Sequence, residues 1–173
     1  MVQAELAVQI RQANKSDFSS FSKLRSEEYK SNPPLSMEAF SAFTQEKLHL
    51  EEDQSQAKQK KILLAEKENQ VIGLLMLATG LPGYLEFLSM EKPLYIMDIV
   101  VDPAHRRKGI GCKLLNFALD LGRQMKTRIV LESAPKYLPW YFGYGFEKVE
   151  FQGEQKAEYD ATGHSVLVLA HHS

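Results

Sequence analysis

Apolar positions along the chain fall into blocks whose spacing alternates between strand-like and helix-like periods. Residues 7–12, AVQIRQ, alternate loosely and predict a short edge strand. In the following NKSDFSSFSKLRSEEY, Ser16 or Asp17 is the expected helix cap, with Phe18, Phe21, Leu24 and Arg25 on or beside one face. Pro33 and Pro34 in NPPL (32–35) end that helix. A second helix is expected from Ser36, its apolar side carrying Met37, Phe40, Phe43, Leu48 and Leu50, before the solvated EEDQSQAKQKK. Then ILLAEK and VIGLLMLAT, separated by Glu68–Asn69, predict a two-stranded hairpin. GLPGYLEFLSMEKP (80–93) predicts an ordered loop or short helix. LYIMDIVVD (94–102) predicts a strand covered on both faces, interrupted by Asp98. From Gly109 the period is helical, with Gly111, Leu114, Leu115, Ala118, Leu119 and Gly122 on one stripe. RIVLE (128–132) is a further buried strand, and YLPWYFGYG a short aromatic helix ending near Gly143–Gly145. FEKVEF and SVLVLA are the closing strands. The order is mixed α/β, without internal repeats, and is read as one domain over residues 1–173.

Composition changes this picture little. The chain has 173 residues, 44% hydrophobic and 25% charged, ordinary for a globular protein large enough to bury a core. A net charge of −1 and a pI near 6.5 give no support to a nucleic-acid partner. No apolar run approaches the ~18 residues of a membrane span, and no membrane partner is expected. The N-terminal MVQAELAVQIRQ lacks the basic leader and apolar core of a signal peptide. Cys112 is the single cysteine, so no intramolecular disulfide forms, and a cytoplasmic location is the expectation.

Charge is concentrated at one place. AHRRKGIGCKLL (104–115) sets Arg106, Arg107 and Lys108 before two glycines, between a buried strand and an amphipathic helix. Free N–H groups at a helix start carry partial positive charge, and glycines let a ligand approach the backbone. That combination points to an anion site; the alternative is a basic surface turn with glycines for chain reversal. A Walker A loop fits poorly, because Ile110, Gly111 and Cys112 follow Gly109 where Lys and Ser/Thr are needed. A dinucleotide fingerprint needs a small residue where Leu114 sits.

Arg106-x-x-Gly109-x-Gly111 resembles the Arg/Gln-x-x-Gly-x-Gly/Ala signature of the GNAT superfamily of acyl-CoA-dependent N-acetyltransferases. IMDIVVDP is similar to that family's central strand, WYFGYGF (140–146) to its Phe-Tyr-x-x-x-Gly-Phe element, and IRQANKSD to its first strand and turn. The likeness spans nearly the whole chain, in order. It implies a central, mostly antiparallel sheet with splayed middle strands, flanked by about four helices. It also implies that acetyl-CoA is the co-substrate, its pyrophosphate held by Arg106, Arg107, Lys108, Gly109, Ile110, Gly111 and Cys112. The backbone at Ile99, Val100 and Val101 would pair with the pantetheine arm and polarise the thioester carbonyl. Tyr141 matches the family's tyrosine acid, although the stripe Tyr137, Trp140, Tyr141, Tyr144 could equally be core.

The base stays open. Asp98 breaks an apolar strand and is either a proton acceptor or an anchor for a neighbouring element; Glu132 and Glu86 are alternatives, as is a water chain. Ala134 stands where many relatives carry an asparagine against the CoA arm, and Tyr137 replaces a common alanine. Ser133 is the expected substitute. The acceptor surface is expected from Tyr29 to Leu35 and from Tyr84, Glu86 and Phe87, where Glu27, Glu28 and Glu86 would suit a cationic amine. Cys112 reads as packing and the five histidines show no ligand spacing, so no metal is expected.

The expected function is N-acetyl transfer to a primary amine, small molecule or peptide, by direct attack in a ternary complex. A non-catalytic acyl-CoA-sensing module is the alternative, and a homodimer is a state open to either.

Overall fold

The loose alternation near the start becomes strand β1 (Gln9–Gln12) in a computed structural model that describes residues 7–28, 35–45 and 59–169. Helices α1 (Phe18–Glu28) and α2 (Met37–Gln45) follow. Tyr29, Pro33, Pro34, Leu48 and Leu50 lie outside the described residues. Strands β2 (Lys60–Lys67) and β3 (Gln70–Thr79) form the expected hairpin. Its turn residues Glu68 and Asn69 have φ of 53° and 60°, the paired positive values of a type I′ turn, whose twist matches the strands it joins. Next come β4 (Leu94–Val101), α3 (Ile110–Gln124), β5 (Ile129–Ser133) and α4 (Leu138–Phe142). The chain closes with β6 (Glu147–Lys148), α5 (Gly153–Thr162) and β7 (Ser165–Leu169).

The strands make one seven-stranded sheet in the order β1-β2-β3-β4-β5-β7-β6. It is mostly antiparallel, with β4 and β5 parallel through Leu94↔Ile129 to Ile96↔Leu131. Beyond that ladder β4 continues to Val101 and β5 to Ser133. The fold is mixed α/β, as the periodicity predicts. Among the described residues no helix is long and apolar enough to cross a membrane.

Two compact units divide the chain: Met1–Leu77 with Asp98–Ala118, and Ala78–Met97 with Leu119–Ser173. In the first, β1 pairs antiparallel with β2 from Gln9↔Glu66 to Gln12↔Leu63. Arg11 ties these strands to the start of α1: its guanidinium meets Asp17 at 2.8 and 2.9 Å and Glu66 at 2.7 Å. The cap differs from the expected Ser16 or Asp17. Asn14 accepts from the Ser16 amide at 2.9 Å, Asp17 accepts from the Asn14 amide at 2.8 Å, and a 3-10 turn (Lys15–Asp17) leads into the helix. The cap therefore falls before the 3-10 turn, which apolar spacing does not register. Phe21 and Phe40 join α1 to α2 with ring centroids 4.8 Å apart. Gly73 lets β3 lie close to β4 and α3, since a Cβ there would sit 3.1 Å from the Val100 carbonyl oxygen and 3.2 Å from Leu114.

In the second unit β5 pairs antiparallel with β7 from Ile129↔Leu169 to Ser133↔Ser165. Leu81, Leu85, Tyr95, Val130, Tyr159 and Val166 form its buried cluster. Two expectations need correction here. FEKVEF contributes a strand of only two residues, Glu147–Lys148; the Val149 amide still donates to the Val166 carbonyl at 2.9 Å, and Val149 and Phe151 pack against that cluster. Helix α5 then intervenes before SVLVLA, held by Tyr159 stacked on Phe151 at 4.5 Å.

Candidate functional site

In the first unit the stretch that follows β4 is shaped by its own side chains. Asp102 caps a 3-10 turn (Pro103–His105), accepting from the Ala104 amide at 2.8 Å. Arg106 donates through Nε to the Val101 carbonyl at 3.0 Å and through Nη2 to Glu28 at 2.5 Å. Lys108 donates to the Ala104 carbonyl at 3.0 Å. Arg107 and Gly109 have φ of 60° and 79°; this left-handed region suits glycine, and at Gly109 a Cβ would meet nothing within 4 Å.

The first intrahelical bond of α3 runs from the Lys113 amide to the Gly109 carbonyl, 3.0 Å. Gly109 is therefore the cap, and the amides of Ile110, Gly111 and Cys112 have no partner within the helix. The first turn of α3 carries no acidic residue. A helix start, its macrodipole and the exposed Arg107 and Lys108 thus come together at this turn, an arrangement that suits an anion. Arg106 differs from its neighbours: its fork is already engaged by Glu28 and Val101, so it builds the turn.

Asp98 lies on β4, 7% exposed, with Oδ2 at 3.3 Å from Arg25 Nε of α1. Arg25 in turn sits 5.9 Å over the Phe21 ring. Ile99 and Val101 are half-buried beside the buried Val100; the Val101 carbonyl is the one that Arg106 takes.

The second unit holds the remaining residues. Tyr141 is 8% exposed on α4, against Trp140 at 4.8 Å and Phe146 at 5.6 Å between ring centroids. Its carbonyl accepts from the Tyr144 and Phe146 amides, and Gly145 reverses the chain with φ of 88°. Ser133 is buried and donates to the Ala134 carbonyl at 3.0 Å. Ala134 precedes the 3-10 turn Pro135–Tyr137 without a side-chain cap.

Tyr84 and Phe87 project from a 3-10 segment (Gly83–Leu88), both exposed, with Phe87 edge-on to Phe151 at 5.6 Å. The Tyr84 hydroxyl donates to Glu132 Oε2 at 2.6 Å, and the Tyr95 hydroxyl donates to the same oxygen at 2.7 Å. Burial first pushes both phenols above their ordinary value; the bond to Glu132 adds to the rise at each, while the Tyr84–Tyr95 contact raises Tyr95 and lowers Tyr84. Tyr95 was not among the expected site residues. A tyrosine in an otherwise apolar buried strand needs a partner for its hydroxyl, and that requirement is the signal that could have found it.

Solved structures share this architecture. An acetyltransferase of the GNAT family from Listeria monocytogenes superposes with a TM-score of 0.66 at 16% identity, covering 98% of each chain. N-acetylglutamate synthase from Neisseria gonorrhoeae, complexed with coenzyme A and N-acetyl-glutamate, gives 0.66 at 19% identity; 98% of this chain is covered, but it spans only 36% of that one. Arabidopsis thaliana Naa50, in complex with a bisubstrate analogue of CoA and a peptide, gives 0.63 at 16%, covering 95% and 99%. The fold is thus that of acetyltransferase domains. The family model described as Acetyltransferase (GNAT) family matches residues 20–144, and the chain belongs to that family.

Proposed function

We propose that the protein is an N-acetyltransferase that moves the acetyl group of acetyl-CoA to a primary amine. The carrying observation is the start of α3, where the amides of Ile110, Gly111 and Cys112 have no partner within the helix, a Cβ at Gly109 would meet nothing within 4 Å, and Arg107 and Lys108 are exposed. Acetyl-CoA supplies an activated thioester carbonyl. The chain's part is to hold it and to manage protons.

The Ile110–Cys112 amides bind the diphosphate, while the β4 backbone at Ile99, Val100 and Val101 orients the arm and polarises the carbonyl. The attacking amine must be neutral; for a lysine-like group of pKa about 10.4 this costs about 4.6 kcal/mol at pH 7. Its nitrogen bonds to the thioester carbon, and the C–S bond then breaks. Tyr141 gives its phenolic proton to the departing sulfur, and the nitrogen sheds one proton to solvent, leaving amide and free thiol. Asp98 acts as a positioning residue, its carboxylate standing 3.3 Å from Arg25 Nε of α1.

An amine panel assayed for release of free thiol tests this reading. Turnover with at least one amine is expected; a folded protein that turns over none overturns it. The sensing alternative draws on Ala134, which offers the arm no polar side chain. It requires CoA to raise the melting temperature while Tyr141→Phe changes nothing.

A further inference from the structure

Glu132 occupies an unusual setting. The register Tyr95↔Val130 places Tyr95 and Glu132 on one face of the parallel pair, because Glu132 follows Val130 by two residues on β5. Tyr84 reaches the same point from the 80–93 segment, where Leu85, fully buried, fixes the backbone and leaves Tyr84 58% exposed. Both hydroxyls donate to Oε2 and stand 3.4 Å apart. Two hydroxyl donors thus converge on a single carboxylate oxygen. Oε1 has no hydrogen-bond partner, and no lysine, arginine or histidine forms a salt bridge with Glu132, among the described residues.

A half-buried carboxylate with two hydroxyl donors on one oxygen and, among the described residues, no cationic side chain against it offers one side of an ion pair. Folded chains complete such pairs, because an isolated charge withdrawn from water is costly. Exposed aromatic rings at Tyr84 and Phe87 lie on the same short segment, and ring faces attract cations. Resting on the acetyltransferase reading, we infer that Glu132, framed by Tyr84 and Tyr95, binds a cationic group of the acceptor, a primary ammonium or a guanidinium. Within that role Glu132 is a specificity residue, and the two tyrosines position it.

Calorimetry on the full chain with 1,4-diaminobutane, spermidine and agmatine tests the assignment, with 1,4-butanediol as the neutral control and CoA titrated separately. At least one cation is expected to saturate while the diol does not. Glu132→Gln, which keeps an acceptor for both hydroxyls, should weaken that binding about tenfold or more and leave CoA uptake unchanged. Tyr84→Ala, at an exposed position, should weaken it several-fold and serves if Glu132→Gln does not fold. Saturation by none of the three cations, or equal affinity in the folded variants, overturns the assignment even where CoA still binds. Loss of CoA binding by the wild type instead strikes the acetyltransferase reading. A purely structural tie predicts lower melting temperatures for the variants with unaltered cation affinity.

Discussion

Gly109 offers the sharpest test of the donor site. With φ of 79° it sits where a side chain is strained, yet the space around a Cβ is open. Gly109→Ala should therefore cost only about 1–2 kcal/mol of stability, the left-handed penalty. For a chain of this size that lowers the melting temperature by about 2–8 °C. Gly109→Glu carries the same backbone penalty and adds a charge where the diphosphate is to lie. A carboxylate about 5 Å from a phosphate, at an effective dielectric of about 20, repels it by about 3 kcal/mol per unit charge. That is roughly a hundredfold in Kd. Isothermal titration of CoA into wild type and both variants, at fixed salt, separates the effects. Alanine should shift melting with a modest loss of affinity, and glutamate should abolish most binding at a similar melting temperature. CoA held by folded Gly109→Glu within about threefold of wild type refutes the placement of the diphosphate.

Other outcomes follow from the same geometry. Tyr141→Phe keeps the packing against Trp140 and Phe146 but removes the proton donor; kcat should fall about 10²–10³-fold with the CoA Kd nearly unchanged. Asp98→Asn removes the carboxylate charge 3.3 Å from Arg25 Nε and should lower stability by about 1–3 kcal/mol. Its pH–rate profile should keep the wild-type acid limb, whereas a base at Asp98 would lose it. Asp17 is held below the usual carboxylate range, chiefly by its bond to Arg11. Its contribution is therefore complete above an unfolded-state pKa of about 3.9 and disappears as pH falls through the lower folded value. Urea midpoints between pH 7 and pH 3 should show that loss, and Asp17→Asn should flatten it.

Local pattern made much of the fold readable. The hairpin announced itself through two apolar runs around Glu68–Asn69, and α3 through leucines at threes and fours after Gly109. Helix α5 was hidden because Tyr159 is the one buried position identified along GEQKAEYDAT, which leaves no period to detect. The glycine turn was legible as a helix start, since cations, glycines and the onset of the apolar period coincide in a dozen residues. What its cations do was not. Arg106 finds Glu28 at a separation of 78 residues, and Tyr95 finds Glu132 at 37. Such pairs are products of topology, invisible to any window along the chain. Asp98 shows the same limit: an isolated carboxylate in an apolar strand marks a role, and only the neighbouring helix reveals Arg25.

The grip of Arg106 on Glu28 and on the Val101 carbonyl has an energetic meaning for whatever anion arrives. Because folding itself freezes the bend, a visiting polyphosphate need not immobilise it, and the entropy of arranging donors is absorbed before the encounter. Recognition then leans on amides fixed in direction more than on the sum of mobile positive side chains. On the proposed donor site, a polypeptide of net charge −1 would capture a highly anionic guest this way.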